Sequence, residues 1–254
     1  MQPEVVYTVG RFQPPTLGHI RMIDKLLEIA NGKPAFVFVS SARESLIPVE
    51  MKMEYLTKMM TRNGSFPPNL HLVDTSKCTP ACGGPLGGWK YIKENLGKTG
   101  KSVRLVVGSD QAANFDPERA PMWTEARKEG NQPSMYVLER AGPGAASFSS
   151  TNAREALKNE GPSGLTRFLQ DGTNAVTSED VKRMATDLLK VQARWPQPKK
   201  GGADDEPDMS AFDADYDGGR RRRRTRRSKA SNRALSRRGL RSRNGSSKTS
   251  RFSY

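Results

Sequence analysis

Five short apolar runs constrain this chain more than any other feature: VVYTV at residues 5–9, AFVFV at 35–39, LHLV at 70–73, VRLVV at 103–107 and MYVL at 135–138. Each reads as a run rather than as polar/apolar alternation, the pattern of strands covered on both faces. Between them lie stretches with helical spacing of apolar residues or high helix propensity, at 17–30, 49–60, 87–96 and 118–129. Strand alternating with helix predicts an α/β fold, a Rossmann-like doubly wound parallel sheet of about five strands. After the fifth run, residues 150–160, 164–170 and 177–192 read as closing helices. The last opens on a Thr177/Ser178 cap and carries Val181, Met184, Leu188 and Val191 at near-helical intervals.

Of the 42 basic side chains, 13 Arg and 2 Lys lie between Arg220 and Tyr254, where there is no Asp or Glu. Residues 1–219 therefore hold 27 basic and 27 acidic side chains, and the net charge of +15 belongs to the end of the chain. The expected organisation is a domain over 1–197, an acidic Pro/Gly-rich linker over 198–219 and a disordered Arg/Ser-rich tail over 220–254, because the last two bury too little apolar surface to offset ordering entropy. Such a tail can hold nucleic acid non-specifically by counterion release, serve nuclear localisation or phospho-regulation, or be solvated and partly neutralised by the acidic segment before it.

Cys78 and Cys82 are the only cysteines. With His71 nearby but no local fourth ligand they do not make a zinc site, and the expectation is two free thiols in a loop of a protein from a reducing compartment. No run of 18 apolar residues occurs and the first residues lead straight into a strand, so the expectation is a soluble intracellular protein of cytoplasm or nucleus, without membrane contact. Oligomeric state leaves no trace in the sequence.

The stretch GRFQPPTLGH, residues 10–19, joins the first strand to the first helix. In a parallel sheet it lines the crevice at the carboxyl ends of the strands. Thr16 stands at the N-cap, Gly18 leaves room for another group to approach the backbone, and His19 projects from the first turn. A helix start offers unpaired N–H groups and partial positive charge, which favour phosphate. At the expected start of the fifth helical stretch, SSTNAR places Ser149, Ser150 and Thr151 before Arg154, whose planar fork suits phosphate oxygens. The two starts are expected to hold opposite ends of one triphosphate.

Together these stretches resemble the nucleotidyltransferase superfamily that carries the [HT]-x-G-H motif on a cytidylyltransferase-like fold. GRFQPPTLGH is most similar to the version in nicotinamide-mononucleotide adenylyltransferases, Thr16 to that in phosphopantetheine adenylyltransferases, and Ser149–Arg154 to the S-[ST]-[ST]-x-x-R motif. The resemblance implies in-line transfer of a nucleotidyl group, adenylyl more readily than cytidylyl, from a nucleoside triphosphate to a phosphate-bearing acceptor such as nicotinamide mononucleotide, with release of pyrophosphate. Phosphopantetheine or a cytidylyl reaction on another acceptor is the alternative, and an inactive α/β module with a nucleic-acid-binding tail a further one.

On this reading His19, Thr16 and Arg154 are catalytic, and Gly10, Arg11, Phe12, Gly18, Ser149, Ser150 and Thr151 hold nucleotide or phosphate. Gly108 admits the nucleotide, while Asp110 either accepts from ribose hydroxyls or caps a helix. Trp89 and Arg140 are expected against the acceptor, with Trp89 stacking on a flat ring. Trp123 is expected in the core, although it belongs with Arg140 and Gly142 to the resemblance. Mg²⁺ is expected to bridge phosphates while taking few protein ligands, so no residue is assigned to a metal.

Overall fold

The computed structural model describes residues 2–41, 45–79, 82–139 and 148–195. They belong to one of the two units into which the chain divides, Met1–Gly218. Strands β1 (Val5–Gly10), β2 (Ala35–Val39), β3 (Leu70–Asp74), β4 (Val103–Gly108) and β5 (Ser134–Leu138) form one parallel sheet in the order β3-β2-β1-β4-β5. Every expected strand is present within about a residue at each end. The expected boundaries of linker and tail lie outside the described residues.

The helices are α1 (Leu17–Ala30), α2 (Val49–Met60), α3 (Gly84–Leu96), the short α4 (Ala112–Phe115) and α5 (Thr124–Lys128), then α6 (Ser150–Glu160), α7 (Pro162–Leu169) and α8 (Ser178–Lys190). Strand side chains alternate between two apolar clusters. Val6, Ala35, Val37 and Val39 join α1, α2 and α6–α8, whereas Val5, Tyr7, Phe36 and Phe38 join α3 and Trp123. Both sheet faces are therefore covered, as the apolar runs require. The stripe of α1 is Ile20, Ile23, Leu26 and Ala30; Leu27, the i+7 position from Ile20, is only half-buried. Thr177 caps α8 reciprocally, its hydroxyl accepting from the Asp180 N–H while Asp180 accepts from the Thr177 N–H. Only five residues of the expected 118–129 helix form α5, because Pro121 opens a 3₁₀ turn ahead of it. Among the described residues no helix is long and apolar enough to cross a membrane.

One expectation is corrected between β3 and α3. Cys78 and Cys82 are joined by a disulfide, not free, their Cα atoms standing 5.6 Å apart, inside disulfide range. Denatured, unreduced protein should titrate no thiols, and two after reduction; two thiols without reductant would contradict the bridge.

Candidate active site: two helix starts at one strand-end crevice

Helices α1 and α3 cover opposite faces of the sheet, so strand order reverses between β1 and β4, the switch point at which such sheets bind ligands. Pairing of β1 with β4 runs only from Val5↔Val103 to Tyr7↔Leu105. Beyond it the strands continue to Gly10 and Gly108, so their carboxyl ends part and open a crevice.

The loop leaving β1 is shaped by Phe12, which adopts a left-handed backbone (φ 49°) with its ring buried. That ring explains Gly10: a Cβ there would lie 2.6 Å from its edge. The Phe12 ring also packs 5.0 Å from the His19 imidazole. Thr16 is the N-cap of α1, and His19, three residues on, accepts its backbone N–H at Nδ1 (3.1 Å). An Nδ1 that accepts leaves the ring proton on Nε2, so the cap sets the tautomer and makes Nε2–H the imidazole's donor. The Thr16 hydroxyl lies 2.9 Å from Nδ1 and donates to the Phe148 carbonyl at 2.6 Å.

That last bond reaches the second motif. Ser149 caps α6 by accepting from the Asn152 N–H (3.1 Å). Ser150 donates its hydroxyl to the Pro14 carbonyl (2.8 Å), and Arg154 donates to the Gln13 carbonyl (2.6 Å) and to the Thr151 hydroxyl (3.2 Å). Gly18 completes the junction: a Cβ there would meet the Phe148 carbonyl oxygen at 2.8 Å. The group for which Gly18 leaves room is thus the chain entering the second helix. The starts of α1 and α6, more than 130 residues apart, are fastened side by side.

Around the junction the cations Arg154, Arg11 and Lys52 stand against the carboxylates Glu155 and Asp74. Arg154 is only 8% exposed, and burial, then the positive charge of Arg11, hold its guanidinium below the usual range. Lys52 of α2 is fully buried beside the same arginine. Cations crowded at a crevice favour an anionic occupant.

The remaining expectations divide. Gly108 ends β4 and its carbonyl accepts from the Gln111 N–H (3.0 Å); Asp110 follows in the same turn, exposed, at the crevice rim. Arg140 and Gly142 lie outside the described residues. The placement of Trp89 is corrected: it is 4% exposed, edge-on to Trp123 at 5.9 Å and under the Lys93 ammonium at 5.2 Å, so its ring is enclosed by protein. Trp123 is core as expected, its indole N–H donating to the Phe115 carbonyl (3.0 Å). Lys52 escapes a motif search, but a signal exists: with Val49, Leu56 and Met59 it falls on the buried stripe of α2, where a lone cation is anomalous.

The sequence model of the cytidylyltransferase-like family matches residues 7–156, a span that begins in β1 and ends beyond Arg154. The chain belongs to the cytidylyltransferase-like family. Among solved structures, this family member resembles Plasmodium falciparum nicotinic acid mononucleotide adenylyltransferase complexed with APC and, separately, with NaAD. Each match is 14% identical with a TM-score of 0.50, covering 75% of this chain and 96% of that one. A bifunctional NMN adenylyltransferase/ADP ribose pyrophosphatase from Francisella tularensis, complexed with AMP and manganese ion, matches at 13% identity and TM-score 0.47, over 75% of this chain and 52% of that one. At such identities the likeness is one of fold. No curated protein matches the sequence significantly.

Proposed function

We propose that this cytidylyltransferase-like chain is an adenylyltransferase, passing the adenylyl group of ATP to the phosphate of a mononucleotide acceptor, nicotinamide mononucleotide or its acid, with release of pyrophosphate. The observation that carries the reading is the junction of the two helix starts, stitched through Thr16, Ser150 and Arg154. Two sets of helix N–H groups, two partial dipole charges and three nearby cations at one crevice suit a polyphosphate. The likeness of both motifs to adenylyltransferase forms supports adenylyl and a mononucleotide acceptor, and the named Plasmodium enzyme acts on an acceptor of that class.

In this mechanism an acceptor phosphate oxygen attacks the α-phosphorus in line, the bond to the bridging oxygen breaks, and pyrophosphate leaves with the negative charge. No covalent nucleophile is needed; positioning and charge stabilisation supply the rate. His19 donates from Nε2 to the α-phosphate, with Thr16 holding the ring. Ser149, Ser150 and Thr151 present the α6 start to the β- and γ-phosphates. Arg154 fixes the loop at Gln13, and with Arg11 it supplies positive potential. Gly10, Phe12 and Gly18 shape the cradle, while Gly108 and Asp110 take the nucleoside side. Mg²⁺ enters this reading as part of the nucleotide substrate, its charge offsetting that of the triphosphate. A pyrophosphate-release screen of ATP and CTP against nicotinamide mononucleotide, its acid, phosphopantetheine and phosphosugars tests the assignment. Turnover is expected with ATP and a pyridine mononucleotide; no release from any pair would overturn it.

Residues 220–254 form, in the same proposal, an electrostatic appendage to a catalytic domain spanning 1–197, joined by 198–219. Truncation after Gly219 should leave turnover unchanged and abolish retention on nucleic acid, which for the full chain should fall steeply as salt rises. Loss of turnover on truncation would contradict the separation.

A further inference from the structure

Lys52 is fully buried in α2, and its ammonium donates to the Ser40 carbonyl at 2.7 Å. The same Ser40 gives its N–H to the Gly10 carbonyl at 2.9 Å. One hydrogen-bonded chain therefore runs from Lys52 through the residue after β2 to the last residue of β1, next to Arg11. Among the described residues Lys52 forms no ion pair within 4.0 Å, although Asp74 at the end of β3 faces it electrostatically, as does Arg11. Asp74 is already engaged: Ser76 donates to its Oδ1 from backbone and hydroxyl at 2.9 and 2.7 Å, and the Lys77 ammonium stands 3.4 Å from Oδ2. A neutral donor could hold the Ser40 carbonyl equally well. A cation in that place, beside a second cation, is instead a standing desolvation penalty awaiting an anion.

We infer that Lys52 is a positioning cation of the triphosphate site, acting through Ser40 and Gly10 on the loop at Arg11 and stabilised only when phosphate occupies the crevice. The inference rests on the reading of the crevice as a triphosphate site. Burial first, then Arg11, hold the Lys52 ammonium well down, to about 8, against the weaker opposing pull of Asp74. Since the folded value is depressed, the free protein carries the penalty at pH below about 8 and sheds it as pH rises toward the unfolded value. A bound triphosphate reverses the balance, so its affinity should decline as pH rises through that range.

The test uses the full chain and whichever of ATP and CTP the wild type binds more tightly, with Kd measured by calorimetry from pH 6.5 to 9.5 beside thermal unfolding without ligand. Lys52→Met should bind the nucleotide roughly tenfold more weakly at pH 7, the equivalent of one pK unit of coupling, and lose the decline at alkaline pH. Without ligand it should be at least as heat-stable as wild type. Lys52→Arg, charged throughout, should bind well and keep its affinity at pH 9. A purely structural lysine would show the opposite: loss of stability in Lys52→Met, with equal affinities and parallel pH profiles in wild type and Lys52→Arg. That outcome overturns the inference and leaves the site reading standing. Failure of the wild type to bind either nucleotide removes both. Should Lys52→Met not fold, the Lys52→Arg profile decides alone.

Discussion

His19→Ala should lower turnover by ~10²–10³-fold while the protein still folds. The size follows from removing one preorganised donor at a developing charge. What makes the imidazole preorganised is the cap: the Thr16 N–H occupies Nδ1, so Nε2–H is presented without a tautomer change during the reaction. The structural loss is the reciprocal cap of α1, worth about 1 kcal/mol, against about 5–15 kcal/mol for a typical domain. Circular dichroism and unfolding should thus resemble wild type, and the loss should fall on kcat more than on the nucleotide KM. Undiminished pyrophosphate release would remove His19 from the mechanism.

Gly18→Ala should also cost ~10²-fold in activity, for a different reason. Local propensity alone predicts a benefit, since Ala in a helix is about 1 kcal/mol better than Gly. Against that, the new methyl would sit 2.8 Å from the Phe148 carbonyl oxygen, a backbone atom that can yield only by moving the entry to α6. The helix gains and the junction opens. Separating the two starts even by a fraction of an ångström displaces the α-phosphate from His19 relative to the β- and γ-phosphates at α6, and misplacement on the scale of 1 Å costs ~10² in rate. The expected result is near-wild-type stability with crippled turnover, read from steady-state kinetics beside thermal unfolding. Full activity would mean that the two starts need not be so close.

The sequence made the sheet legible because strands buried on both faces need unbroken apolar runs, and 35–39 satisfies that requirement along its whole length. The motifs stand out because Gly10, Phe12, Pro14, Thr16, Gly18 and His19 match one family pattern together, where a capped helix start bearing Thr, Gly and His would be ordinary by itself. Other features depend on distance in space. The partners of Ser150 and Arg154, the Pro14 and Gln13 carbonyls, lie 136 and 141 residues away and are backbone atoms, which no side-chain pattern announces. Trp89 was misplaced because a large ring near glycines at a helix start suits a ligand and a core equally; the other indole at 5.9 Å decides it. The Cys78–Cys82 bridge depends on the distance between the two Cα atoms, which spacing in the sequence does not fix.

A crystal structure with a non-hydrolysable ATP analogue tests the central claim most directly. The account predicts one triphosphate lying across the junction, its α-phosphate within hydrogen-bonding distance of His19 Nε2 and its β- and γ-phosphates at the N–H groups and hydroxyls of 149–151. An analogue bound elsewhere on the sheet edge, or one that meets α1 and leaves the start of α6 untouched, would contradict it.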